Sequence, residues 1–366
     1  MPSLPFRSST RRSRLGGAVF WAAAAIAAVP LSSPAAALTA LEVNEATLKP
    51  GAGTREGADP VILRAQVLLD RARFSPGSID GKTGDNFVNA LDAFATANGL
   101  KPAGRLTTEL WTALVATHEG PVLVPYTIAE ADVKGPFLEK IPKEYEDMAQ
   151  LKALGYTSPE EGLAEKFHVS VALLKSLNPK TRFDTAGEVI VVPDARPDPK
   201  PGARAQRAGQ TAGPNAAQAP GGSKAGDKVR AARLEVDKAA HALRAYDAED
   251  RLIATYPASI GSDEKPAPSG RTEVTAIALN PTYTYNPDYA FKGQKATKKV
   301  EVPAGPNNPV GAVWIDLAIE SYGIHGTPEP ERVGKTFSHG CVRLTNWDVK
   351  DLAGLVSKGT VVEFKD

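Results

Sequence analysis

The sequence predicts a multidomain chain: a small all-α three-helix domain, a small α+β middle region, and a mainly β, sandwich- or barrel-like C-terminal domain. Three observations predict it. Apolar residues recur at helical spacing in residues 58–118, and the pattern changes to two-residue alternation after residue 228. Between these parts, ARPDPKPGARAQRAGQTAGPNAAQAPGGSKAGD (195–227) holds no aromatic residue and no Val, Ile, Leu or Met, so it cannot bury a core and reads as a flexible linker. A chain of 366 residues is also longer than one hydrophobic core organises. The formal net charge of +1 gives no overall basic field, which argues against nucleic acid as a partner.

Taken in order, the N-terminus combines the basic RRSRLGG with the apolar AVFWAAAAIAAV and the small-residue run PAAAL. Residues 1–37 therefore read as a signal peptide cleaved after Ala37, too short in its apolar part for the ~20 residues of a spanning helix. Arg11-Arg12 is followed by Ser13 and Arg14, which suits ordinary Sec export better than a twin-arginine route. No later run is long enough to cross a membrane.

PVILRAQVLLDRARF (60–74), NFVNALDAFATANGL and TTELWTALV then carry three helical patterns, separated by the turn-rich SPGSIDGKTG and by KPAG. Phe94 and Trp111 read as core residues. In the middle region, 122–194, GYTSPEEGLAEKFHVSVALLKSLNP followed by EVIVVP reads as helix, turn, helix and final strand, with His168 packed at a helix end. After residue 228, ARLEVDKAAHALRAYDAEDRLIATYPASIG alternates and breaks at DK and DAED, as an antiparallel meander does. TEVTAIAL, AVWIDLAI and TVVEF supply further strands, and WDVKDLAGLV a closing helix that Trp347 and Asp348 begin and pack.

The only cysteine, Cys341, lies in KTFSHGCVRL. Exported proteins usually pair their cysteines, so a lone one is either buried and inert or reactive. Its surroundings favour reaction. Acyl transfer by a thiol needs a base and donors for the oxyanion. His325 in YGIHGT is the candidate base, and a carbonyl in the Gly326 segment is the nearest group to fix its tautomer. The glycine before the nucleophile lets the amides of His339, Gly340 and Cys341 converge on one point. A neighbouring histidinium is expected to lower the thiol pKa below its usual ~8.5. In NPTYTYNPDYAFKG, Tyr283, Tyr285 and Tyr289 either line the cleft or cover one end of the sheet.

These residues carry resemblances. IDGKTGDNFVNALDAFATANGLKPAGRLTTELWTAL is similar to the peptidoglycan-binding domain of exported wall enzymes, departing at Ala95, where that family usually has glutamine. The second half of the middle region resembles a LysM module, which binds N-acetylglucosamine-containing glycans, although a Lys- and Glu-rich insertion precedes it. HGT, Gly334 and SHGCVRL, with PSGRTEV, NNPVGAVWIDL and KGTVVEF, resemble the L,D-transpeptidases over residues 232–364. That resemblance implies Cys341 as nucleophile, His325 as general base oriented by Gly326, and the His339, Gly340 and Cys341 amides as oxyanion hole. Ser338 and His339 would shape the site, and Arg343 would hold the loop or meet a substrate carboxylate; from its aromatic loop, read as lining the cleft, Tyr285 is the candidate substrate contact. It further implies a cofactor-free periplasmic enzyme acting on peptidoglycan glycan strands and stem peptides, with an outer-membrane protein or lipoprotein as an alternative acceptor, and acylation of Cys341 by carbapenems.

Competing readings are an L,D-carboxypeptidase, a protein-anchoring transpeptidase and a non-catalytic wall-binding protein. A zinc site built from His325, His339 and Cys341 is the metal alternative, disfavoured because no acidic general base sits in the same segment. The matches of SDEK (262–265) to S-x-x-K and of KTG (82–84) to a serine-transpeptidase signature lie in different domains and in the wrong order.

Overall fold

The structure, a computed structural model, describes residues 38–49, 52, 57–197, 229–262, 265–287, 298–338 and 340–366. The signal-peptide segment, most of the linker from residue 198, Tyr289 and His339 lie outside the described residues. No helix among the described residues is long and apolar enough to cross a membrane.

Helix α1 (Ala40–Asn44) starts in a capping box of Thr39 and Glu42. The three predicted helices follow: α2 (Pro60–Arg71), α3 (Asp85–Ala97) and α4 (Thr108–Val115). Asp59 caps α2 by accepting from the Val61 and Ile62 amides, and Pro60 occupies the first turn, where its missing N–H costs nothing. Leu63, Leu69, Leu91, Phe94 and Leu114 fill the bundle core, with Phe94 edge-on to Phe74 at 5.4 Å. Trp111 is half-buried beneath Arg64. The IDG turn is held by Gln66, whose amide oxygen accepts from the Asp80 and Gly81 N–H groups while its nitrogen donates to Lys82 O.

The middle region runs β1 (Leu123–Thr127), α5 (Glu130–Val133), α6 (Tyr145–Met148), α7 (Pro159–Lys166), α8 (Val171–Leu177) and β2 (Val189–Pro193). Strands β1 and β2 pair antiparallel from Leu123↔Pro193 to Thr127↔Val189. Ser158 and Ser170 cap α7 and α8. This region does not stand apart from the bundle. Ile79 and Ser170 exchange backbone bonds with the 168–170 turn and the IDG loop, and Leu163, Leu174 and Ile190 share one continuous core with α2 and α3.

In the C-terminal domain, β3 (Arg233–Asp237), β4 (Ala242–Tyr246), β5 (Leu252–Pro257), β6 (Ser259–Ile260), β7 (Gly270–Leu279), β10 (Val313–Leu317), β11 (Gly323–His325), β12 (Val342–Arg343) and β13 (Val361–Lys365) form one mixed sheet. Its order is β5-β4-β3-β13-β7-β10-β11-β12-β6, while β8 (Tyr283–Tyr285) and β9 (Val300–Val302) form a separate hairpin. The two edge strands, β5 and β6, are separated in sequence only by Ala258. One continuous piece of chain therefore reaches both edges, and the sheet has to curl nearly into a barrel to allow it. Inside lie Leu234, Leu243, Ile315, Ile324, Val342 and Val362, covered by Val349, Leu352 and Leu355 of α9 (Asn346–Leu355). Burying each such side chain stabilises the fold by roughly 1.5–3 kcal/mol.

Residues 37–366 form a single unit, and the linker reading is corrected at its first residues. After α2 the chain lays Phe74 beside the sheet edge, where Ser75 N donates to Thr255 O and Thr255 N to Arg73 O, so the exposed edge of β5 is covered. Arg196, placed by sequence inside the linker, is 7% exposed and ion-paired with Asp70 of α2 and with Asp348 and Asp351 of α9. His168, also buried, pairs with Asp70 at 3.0 Å and stacks on Trp347 at 5.1 Å. A guanidinium can satisfy several carboxylates at once, which is why one arginine here joins three elements.

Candidate active site

Strands β11 and β12 are parallel, with Ile324 opposite Val342 and His325 opposite Arg343. Side chains alternate along a strand, so the fully buried Ile324 and Val342 take the core face and send His325, Arg343 and Cys341 to the other. Sixteen residues apart in sequence, His325 and Cys341 thus share one face of neighbouring strands. Trp314 pairs with His325 from the other side and stacks on its ring at 5.5 Å and 17°.

His325 is 6% exposed, and its Nδ1 lies 2.6 Å from Gly326 O. A carbonyl only accepts, so Nδ1 carries the proton and Nε2 keeps its lone pair for a base's work. Gly326 is held in turn. A Cβ there would meet Asn346 Oδ1, which accepts from Ala312 N, while Asn346 Nδ2 donates to Glu165 of α7 and to Pro306 O. Sequence reasoning missed Asn346, since an asparagine opening a helix gives no signal of reaching back to another loop.

Cys341 is half-buried, with Sγ 3.9 Å from Ser321 O. Ser338 shapes its loop: Oγ donates to Cys341 O at 2.5 Å and accepts from Gly340 N at 3.2 Å. Gly340 has φ of +128°, a region that favours glycine. Because Ser338 engages its amide, Gly340 is a poorer oxyanion donor than expected, and the amide of Cys341, which also acts on its own sulfur, is the remaining candidate among the described residues.

The electrostatics depart from the expected histidinium–thiolate pair. Burial, then the charge of Arg343, push His325 down to about 3, against the opposing pull of the Gly326 carbonyl. Burial pushes the Cys341 thiol up, opposed by the Gly323 amide and Arg343. Both shifts favour the neutral forms, an imidazole and a thiol rather than an ion pair.

Tyr285 is corrected from cleft to core: it is 2% exposed and packs on Tyr145 at 4.9 Å. The tyrosines coupled to Cys341 are Tyr283 and Tyr322, both pushed up by burial and by the thiolate's charge. Tyr322 had no distinguishing sequence pattern. Arg343 is half-buried, and its Nε has no hydrogen-bond partner among the described residues.

A lone thiol, a neutral oriented imidazole and nearby amides on a curled mixed sheet define a site equipped for acyl transfer through sulfur. Comparison with known proteins agrees with that class. Residues 231–364 match the YkuD family, described as the L,D-transpeptidase catalytic domain, and residues 59–114 match the "Putative peptidoglycan binding domain" family. The C-terminal domain belongs to the L,D-transpeptidase catalytic-domain family, and the helical bundle to the peptidoglycan-binding one. The "Putative L,D-transpeptidase YkuD" of Bacillus licheniformis is 34% identical over 130 residues, covering 36% of this chain and 63% of the relative. Its Bacillus subtilis namesake is 28% identical over 201 residues, covering 55% of this chain and 89% of the relative. The chain thus spans under two thirds of the length of the first. Among solved structures, an L,D-transpeptidase from Mycobacterium smegmatis overlaps 36% of this chain and 58% of its own at 18% identity, with a TM-score of 0.30.

Proposed function

We propose that the protein is an exported L,D-transpeptidase of the periplasm that remodels peptidoglycan through a thioester on Cys341. The observation that carries the reading is His325, its Nδ1 fixed 2.6 Å from Gly326 O, on the strand that pairs with the one following Cys341, within a domain of that family. Neutral His325 takes the thiol proton as sulfur attacks the diaminopimelate carbonyl of a tetrapeptide stem. The amide of Cys341 faces the developing oxyanion, and His325 returns the proton to the departing D-alanine nitrogen. The side-chain amine of a second stem resolves the thioester as a 3-3 cross-link, and water gives a tripeptide instead. The thioester conserves the free energy of the broken amide, so no cofactor enters.

The bundle's family supports a role in holding the enzyme on peptidoglycan, where a second attachment raises the local concentration of stems. The antiparallel pair of β1 and β2, with the capped helices α7 and α8 preceding β2, supports a LysM-like glycan contact. Mass spectrometry of products from disaccharide-tetrapeptide fragments tests the reading. Wild-type protein is expected to give dimers lacking one D-alanine, and Cys341→Ser none. Tripeptide alone would establish a carboxypeptidase, and no change with either protein would leave a wall-binding role.

A further inference from the structure

The helical bundle grips the loop that leads into the nucleophile. Asn86, in the first turn of α3, is 8% exposed, and its Nδ2 donates to Val333 O at 2.8 Å. Asparagine brings a helix no stability of its own, and a buried amide needs a partner; the loop supplies one. Gly334 follows at φ of +73°, and a Cβ there would lie 2.2 Å from Asn86 Oδ1. Gly334, part of the motif around Cys341, is thus the residue whose bare Cα lets the helix come so close. Its N–H donates to Ser259 Oγ at 3.2 Å, so α3 and β6 both hold the loop at this point.

From there the chain runs to Ser338, whose N–H donates to Gly261 O at 3.0 Å and whose Oγ donates to Cys341 O at 2.5 Å. A second contact of α3 lies alongside. Asn89 Nδ2 donates to Ala240 O at 2.9 Å, and the next residue, His241, meets Phe337 with ring centroids 5.7 Å apart. Two asparagines three residues apart share one face of a helix. One reaches the loop before Cys341 directly, the other through the turn between β3 and β4. A loop fixed only at its ends would let the sulfur drift, and a displacement of about 1 Å at a reacting group can cost on the order of 10²-fold in rate.

We propose that Asn86 is a positioning residue: the helical bundle, besides any anchoring, sets the loop that carries Cys341, so that acyl transfer depends on the bundle even where there is no polymer to hold. The inference rests on the transpeptidase reading, and hydrogen exchange separates the two. Soluble disaccharide-tetrapeptide fragments are the donor, because tethering to a polymer gives no advantage with them. Asn86→Ala is expected to lower kcat at least about tenfold while KM stays within about twofold. Exchange at the Gly334 and Ser338 amides is expected to speed up at least about tenfold, with Leu234 and Val362, on the paired strands β3 and β13, unchanged. Gly334→Ala disturbs the same contact from the loop side and leaves the buried asparagine in place. It is expected to give a similar fall, and the double variant to be no slower than the slower single one. An unchanged kcat, a loss carried by KM alone, losses that multiply in the double variant, or faster exchange spread evenly over the sheet overturns the positioning role. Faster exchange confined to the loop, in a protein whose wild type transfers no acyl group, overturns the transpeptidase reading and leaves the bundle's hold on the loop standing.

Discussion

Replacing Arg196 with methionine tests whether the wall-binding and catalytic parts are one folded unit. The side chain is nearly isosteric and apolar, so the change removes charge and donors with little loss of volume. It leaves Asp70 and Asp348 fully buried and Asp351 6% exposed, three carboxylates without their shared cation. Removing one partner of a buried ion pair costs roughly 3–5 kcal/mol. At roughly 2–4 °C per kcal/mol for a fold of this size, Tm should fall by ~6 to ~20 °C. The loss also depends on pH. Against burial, the charges of His168 and Arg196 hold Asp70 down to about 2, so its contribution is present above about 4 and lost as pH falls toward 2. Burial and the charge of Asp70 push Asp348 up to about 6, so its contribution is complete below about 4 and fades as pH rises through 6. Without the guanidinium all three carboxylates rise, and the destabilisation should be larger at pH 8 than at pH 5. Scanning calorimetry at the two values provides the measurement. A Tm within 2 °C of wild type, or an equal loss at both pH values, would refute the account of Arg196 as the joint between the parts.

Other outcomes follow from the site and its supports. Since His325 is pushed down to about 3, it stays a competent base well into the acid range, and the acid limb of kcat/KM should lie below about pH 5. An apparent pKa between 6 and 7 on that limb would contradict a neutral resting pair. Gly305 has φ of +148°, and a Cβ there would lie 2.2 Å from Leu154 O. Gly305→Ala should cost ~1–3 kcal/mol, because a carbonyl of the backbone cannot swing aside as a side chain can. Hydrogen exchange at the amides of Leu154 and Asn307 should then accelerate, and unchanged protection would show that the insertion does not depend on that close approach.

Much of the fold was legible because periodicity reports which face of an element is buried. The helices at 60–71, 85–97 and 108–115 and the final strands emerge from spacing alone. The linker reading failed at Arg196 because composition shows that a stretch cannot build its own core and is silent on whether one of its residues enters another's. At the site, Cys341 and His325 stood out through the single sulfur and the glycines around both. Tyr285 was preferred over Tyr283 with nothing in the sequence to separate two tyrosines one residue apart. The two share one face of β8, and their depth separates them, Tyr285 being 2% exposed and Tyr283 half-buried.

The sequence by itself determined the types of element, the order of the parts and the candidates for the reacting residues, because these depend on local spacing and side-chain chemistry. Only the tertiary structure decided that the parts share one body, that Trp314 stacks on His325 while Asn346 bonds Ala312 beside Gly326, and that Tyr145 of the middle region packs on Tyr283 and Tyr285. Those facts depend on long-range packing and on the loss of water around the groups concerned. The same burial keeps the imidazole and the thiol neutral, a property no motif encodes.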